Sequence, residues 1–157
     1  MGLATPDQIR FGRGALTQLR RLMIAAYPIE GCALLLGVAV LNPGEAGCSL
    51  WHLQRVWPCC NVWMPPQERL RRFAIDPREQ LLAQRWGRQR QLLLLGTAHS
   101  HPRGQPEPSS TDLALAFAPA LQVILAPGDG WLPRPWWLEG TPEGAPAARP
   151  LPWSLEP

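Results

Sequence analysis

Hydrophobic and polar positions divide the chain into short segments whose periods differ. From Ala15 to Ala26, residues Leu16, Leu19, Leu22 and Met23 recur at helical spacing, which predicts a helix ending before Pro28. Cys32 to Leu41 is an apolar run between Glu30-Gly31 and Asn42-Pro43-Gly44, the pattern of a buried strand. Ser49 to Trp57 alternates and pairs with it as a hairpin across the Gly-rich turn, and a weaker alternation at Gln8 to Phe11 marks a short first strand. Pro58 to Pro66 reads as a loop and Arg72 to Ile75 as a short strand. Asp76 then caps, and Pro77 opens, a second helix running to about Arg90. Leu92 to Ala98 and Leu121 to Ala126 are short buried strands, separated by a polar, Pro-rich loop and a short apolar helix over Leu113 to Phe117. Pro127-Gly128-Asp129-Gly130 turns the chain into a last strand, Trp131 to Leu138. The remaining residues, Thr141 to Pro157, hold five prolines and are expected to be extended or poorly ordered. Strands and helices mix without strict βαβ alternation, so the expected fold is α+β, a three-layer α/β/α arrangement over residues 1–140 with a Pro-rich tail over 141–157.

Composition narrows this picture. The 157 residues suit one domain, and 46% apolar against 17% charged residues exclude disorder of the whole chain. No apolar run approaches the roughly 18 residues of a membrane span, and the first residues lack the basic-then-apolar pattern of a secretion signal. Pro6 stands where a myristoylation signal on Gly2 needs Ser or Thr. Fifteen basic and 12 acidic residues give a net charge of +3, too small to argue for nucleic acid. Every basic residue is arginine. Arg69, Arg71, Arg72, Arg85, Arg88 and Arg90 fall in one stretch that serves either an acidic partner or a solvated face. Cys32, Cys48, Cys59 and Cys60 form no CxxC pair, so buried reduced thiols in a cytoplasmic protein are expected, and not a disulfide framework or zinc knuckle. Eight tryptophans are mostly core or sheet-face residues, with one or two available to line a substrate groove.

Chemistry concentrates in His99-Ser100-His101-Pro102, a six-residue spacer, and Ser109-Ser110-Thr111-Asp112. Two of the three histidines lie two residues apart at the exit of a buried strand, where residues i and i+2 point to the same side. Asp112 follows in the first turn of the next helix. Two imidazoles and one carboxylate are the ligand set of an open catalytic zinc site. Ser109-x-x-Asp112 also fits a helix-capping signature, and the two roles are compatible.

The pattern His99-Ser100-His101-Pro102 through Asp112 resembles the motif of the JAMM (MPN-plus, Mov34/MPN/PAD-1) metallopeptidases. Pro28-Ile29-Glu30-Gly31-Cys32-Ala33-Leu34-Leu35-Leu36-Gly37 resembles the family's upstream signature, with Ala33 in place of a glycine. Phe73-Ala74-Ile75-Asp76-Pro77 is similar to the segment before the family's second helix, so the likeness runs from about Gln8 to Leu138. The resemblance implies a mixed, cytidine-deaminase-like sheet flanked by helices. It also implies one Zn²⁺ per chain held by His99, His101 and Asp112. Glu30 would serve as general base and then acid, and Ser109 as donor to the developing oxyanion. Cys32 is expected to be a packing residue. Compact size resembles prokaryotic members that hydrolyse the amide after the C-terminal Gly-Gly of a ubiquitin-like or sulfur-carrier protein. Two alternatives accompany that implied function: a non-catalytic scaffold of the same fold, and a RadC-like DNA-associated protein, against which the Pro28 to Gly37 segment and the modest charge both count.

Overall fold

In the computed structural model, which describes residues 3–41 and 47–157, the apolar run Cys32–Leu41 is a strand with a partner on each side. The elements are β1 (Gln8–Phe11), α1 (Arg13–Ala26), β2 (Cys32–Leu41), β3 (Ser49–Cys59), α2 (Pro77–Arg88), β4 (Leu93–Ser100), α3 (Ser110–Leu115), β5 (Ala120–Leu125), β6 (Arg134–Thr141), β7 (Gly144–Pro150) and β8 (Trp153–Leu155). All the strands join one sheet in the order β7-β6-β5-β4-β2-β3-β1-β8. The sheet is mixed: β2 runs antiparallel to both β3 and β4, whereas β4 and β5, and β1 with its two neighbours, are parallel. The fold is α+β. The turn expected at Asn42-Pro43-Gly44 lies outside the described residues.

Alternation along the strands sorts the side chains onto two faces. Ala33 and Leu35 of β2 and Leu121, Val123 and Leu125 of β5 join Leu19 and Met23 of α1 in the main core. The alternate position Leu36 meets α2, where a Cβ on Gly87 would lie 2.8 Å from its methyl group. The sheet is also strongly curled. Four strand spacings separate β3 from β6, about 19 Å in a flat sheet, yet Trp51 and Trp137 on these strands stack edge-on at 5.5 Å. Only Leu151 and Pro152 separate β7 from β8, on the two outer positions of the sheet order. The Leu151 N–H donates to Pro135 of β6 at 3.0 Å, and the Pro152 carbonyl accepts from Ile9 of β1 at 3.0 Å, so these two residues clasp the halves together.

Several boundaries differ from the sequence pattern for local reasons. Residues 141–157 are extended, and they pair as two further strands, β7 with β6 and β8 with β1. Arg72 to Ile75 forms no strand, because the Asn61 side chain accepts from the Ala74 N–H and donates to the Arg72 carbonyl in place of a ladder. The last helix starts at Ser110, three residues early, under a complete capping box of Ser109 and Asp112. Residues 131–133 stay out of β6; Trp131 has φ 57°, and Pro133 follows. The Asp76 cap and Pro77 start of α2 are as expected, and α2 stops at Arg88 with Gln91 at φ 59° closing the turn. Within the arginine stretch, Arg69 donates to the Trp63 carbonyl, Arg72 pairs with Glu68, and Arg90 stacks on Trp86.

Gly37 sits where the β2–β3 register shifts, and a Cβ there would lie 1.9 Å from the His52 carbonyl oxygen. Gly37→Ala should therefore lower stability by about 3 kcal/mol. Gly14 in α1 has nothing within 4 Å of its Cβ position, and Gly14→Ala should raise stability by about 0.5 kcal/mol. Urea titration of both variants checks the pair; a neutral Gly37→Ala would contradict the described register.

Candidate metal centre

The site forms where β4 ends. Its alternation aims His99 and His101 to one side and Ser100 to the other, where the buried Ser100 Oγ accepts from the Gly31 N–H at 2.8 Å. This bond fastens the end of β4 to the residue just after Glu30, next to the Cys32–His99 register pair. Glu30 itself is held by its backbone: its N–H donates to the Arg69 carbonyl at 2.8 Å, and its carbonyl accepts from Asn61 Nδ2 at 3.0 Å.

The spacer between the histidines and Asp112 is fixed from two directions. Trp136 Nε1–H donates to the Pro106 carbonyl at 2.9 Å, and His101 Nδ1 lies 2.6 Å from the Gln105 carbonyl. A carbonyl only accepts, so His101 carries its proton on Nδ1 and turns the Nε2 lone pair inward. At the start of α3 the Asp112 N–H donates to Ser109 Oγ at 3.0 Å, and the Ser109 N–H donates to Asp112 Oδ2 at 2.9 Å. The capping box thereby aims the carboxylate.

The three expected ligands converge. His99 Nε2 and His101 Nε2 are 3.0 Å apart, and Asp112 Oδ2 lies 3.2 and 3.1 Å from them. A tetrahedral cation with bonds near 2.0–2.1 Å spaces its donors by about 3.3 Å, so the triangle has the size of one face of such a site. Glu30, His99 and His101 also offer donor atoms that all lie within 4.8 Å of one another. The Glu30 Oε1 atom is buried and has no hydrogen-bond partner among the described residues. Nitrogen and carboxylate donors of this kind, buried together with an unpaired carboxylate oxygen, fit a zinc ion. Glu30 and Ser109 line a cleft of about 240 Å³ with His101. As the cap, the Ser109 Oγ accepts one bond and keeps its O–H free to donate into that cleft.

Burial dominates the electrostatics. Glu30 is pushed up to about 7 by desolvation; His101 pulls it down and Asp112 pushes it up. Desolvation also lowers His99, which is fully buried and stacked on Phe73 at 4.4 Å. For His101 desolvation pulls down as well, but its bonds to Asp112 and the Gln105 carbonyl outweigh it and the net shift is upward. Burial raises Asp112, yet the two imidazoles and the Ser109 N–H together hold it well below the usual carboxylate range. Cys32 is raised to about 12, mainly by burial, a poor thiolate in a packing position.

The sequence matches, over residues 13–139, the family described as prokaryotic homologs of the JAB domain. The chain belongs to that family. Among solved structures it is similar to a protein of Desulfitobacterium hafniense determined in solution, at 26% identity and TM-score 0.74, covering 94% of this chain and 92% of that one. A Salinibacter ruber protein, also determined in solution, is 27% identical with TM-score 0.59, covering 92% and 90%. No curated protein matches the chain.

Three residues of this JAB domain to which the sequence reading gave no role hold the centre in place: Ser100, Asn61 and Phe73. Ser100 was visible only as the spacer inside His-x-His. Asn61 carries no sequence signal, since its four bonds all go to backbone groups. Among the described residues no helix is long and apolar enough to cross a membrane.

Folded Glu30 keeps its proton to about pH 7, whereas an unfolded glutamate releases it near 4.5. The folded state therefore incurs no cost below pH 4.5, an increasing cost between the two values, and the full cost above pH 7. In metal-free protein, Glu30→Gln should match the parent at pH 4 and exceed it by up to about 3 kcal/mol at pH 8. Thermal melts across that range check this; a pH-independent difference would show that Glu30 is not desolvated.

Proposed function

We propose that this JAB domain is a zinc-dependent peptidase that hydrolyses the amide bond after the C-terminal Gly-Gly of a ubiquitin-like or sulfur-carrier protein, in the cytoplasm. The observation that carries this reading is the convergence of three donor atoms beside a buried glutamate whose Oε1 has no hydrogen-bond partner among the described residues. His99, His101 and Asp112 would hold the metal, one ion per chain. Bound there, zinc would supply Lewis acidity, making water acidic enough to ionise near neutral pH.

The chain's own residues complete the chemistry. Glu30 takes up a proton on its carboxylate and delivers it to the departing amine. Ser109 donates its O–H to the substrate carbonyl oxygen as charge grows there, a contribution of about 3 kcal/mol in comparable sites. The Asp112 to Ser109 bonds keep that hydroxyl aimed while leaving its proton available. Pro102 and Gly104 line the same cleft. Gly104 adds no side chain to it and leaves room for the backbone of an extended tail. The same reading takes the helices on alternate sheet faces as a three-layer, cytidine-deaminase-like arrangement, supported by the packing of α1 and α2 against alternate residues of β2.

Elemental analysis of purified protein should find one zinc per chain, lost in Asp112→Ala. On a carrier extended beyond Gly-Gly, Glu30→Gln should keep zinc and lose about 10²–10⁴-fold in rate, whereas His101→Ala loses both. Absence of zinc even after reconstitution would favour the non-catalytic scaffold, and full activity in Glu30→Gln would sink the mechanism.

A further inference from the structure

Within the arginine stretch, Arg71 is the member that lines the cleft beside the centre. Its neighbours are spoken for: Arg69 is bonded to the Trp63 carbonyl and Arg72 is paired with Glu68. The Arg71 side chain has no ion pair or hydrogen bond among the described residues, and neither has that of Arg103 in the spacer. Both residues are exposed. Both line the cleft of about 240 Å³ that also holds Glu30, His101 and Ser109. The other lining residues, Leu70, Pro102 and Gly104, carry no charge. The one acid in the lining, Glu30, is only 3% exposed and lies deeper than either arginine. Glu107, the acid of the spacer, is not part of the lining.

The two arginines arrive from different segments, each on a short tether to the centre. The Glu30 N–H donates to the Arg69 carbonyl at 2.8 Å, and Arg71, two residues on, is fixed by its own N–H donating to the Glu68 carbonyl at 3.0 Å. Arg103 follows His101 by two residues, in a turn where the Gly104 N–H reaches the His101 carbonyl at 3.5 Å. One arginine therefore stands on the Glu30 side of the cleft and the other on the His101 side. A guanidinium presents a planar fork of N–H donors that matches a carboxylate, and such charge-assisted bonds are among the strong ones. A cationic ligand would meet two like charges, and a neutral one would gain nothing from either fork.

We infer that Arg71 and Arg103 form a clamp for the terminal carboxylate of the residue released when the amide is cleaved. Glu30 gives its proton to the departing amine, so that residue leaves on the Glu30 side, toward Arg71. A cube of 240 Å³ has an edge of about 6 Å, the span of about two extended residues. The clamp thus selects a carrier whose Gly-Gly is followed by one or two residues ending in a free carboxylate. Placing the carboxylate on the released residue rests on the peptidase reading; the preference for a carboxylate does not.

The test is titration of the zinc-incubated, ¹⁵N-labelled full chain carrying Glu30→Gln, in which the peptides stay uncleaved. The probes are acetyl-Gly-Gly-Ala, its C-terminal amide, and acetyl-Gly-Gly-Asp-amide, whose only carboxylate is on a side chain. The free acid should bind about tenfold more tightly than its amide and shift the Nε–H resonances of Arg71 and Arg103. With Arg71→Gln and Arg103→Gln added together, that preference should fall to about twofold or less, with the affinity for the amide unchanged; each change alone should cost about threefold. The Asp-amide peptide should bind like the neutral amide. Both arginines are exposed, so the substitutions leave the fold intact, which the same spectra report. Equal binding of acid and amide, or no saturable binding of the acid, would overturn the inference. So would a preference that survives in the double variant, as when the metal takes the carboxylate, or an Asp-amide peptide that matches the free acid. No hydrolysis is read, so a negative result leaves the peptidase proposal standing, and an inactive enzyme leaves the clamp standing.

Discussion

The antiparallel pairing of β2 with β4 decides where the chemistry is. Because the strands run in opposite directions, the first residue of β2 must lie beside the end of β4: Cys32 faces His99 in the ladder. Glu30, two residues before that point, is carried to the histidines by strand geometry alone. The Ser100 to Gly31 hydrogen bond then removes the remaining freedom. A slip of one residue in this pairing would turn both imidazoles to the opposite face. The apolar side chains that fix the register, Ala33, Leu35 and Ala98 among them, thus also fix the site.

Held together in this way, four ionisable groups are removed from water at one place, and their protonation states diverge. Asp112 is anionic because two imidazoles and a helix-cap N–H surround it; Glu30 is driven the other way by burial, which outweighs the pull of His101. Two neighbouring carboxylates are thus shifted in opposite directions by their surroundings. A buried carboxylate oxygen without a hydrogen-bond partner among the described residues is costly to the fold.

Much of this was legible in the sequence because it rests on short-range rules. The run Cys32 to Leu41 is long and bounded by turn residues, and the structure gives the same strand limits. Asp76-Pro77 opened α2 as capping chemistry requires, and His-x-His at a strand exit put two rings on one side. What was not legible depends on distant partners. Arg72 to Ile75 has the composition of a strand, but Asn61 takes its hydrogen bonds. The prolines of residues 141–157 argue against a central strand yet are tolerated on β7 at the border of the sheet. Ser109 read as a cap from its spacing to Asp112, and as a functional hydroxyl only through the family resemblance; the structure gives it the cap geometry. Trp63 looked like one tryptophan among eight, and its contact with Arg72 had no sequence signal.

The clasp made by Leu151 and Pro152 has a mechanical side. Leu151 bonds to Pro135; the next residue, Trp136, bonds to the carbonyl of Pro106; the carbonyl of its neighbour Gln105 accepts a hydrogen bond from His101 Nδ1. Closure of the sheet and orientation of an imidazole therefore belong to one continuous strut. The ring angle of His101 is braced from the far end of the polypeptide, and the rigidity of the centre is a property of the whole curled sheet, not of the loop that carries the motif.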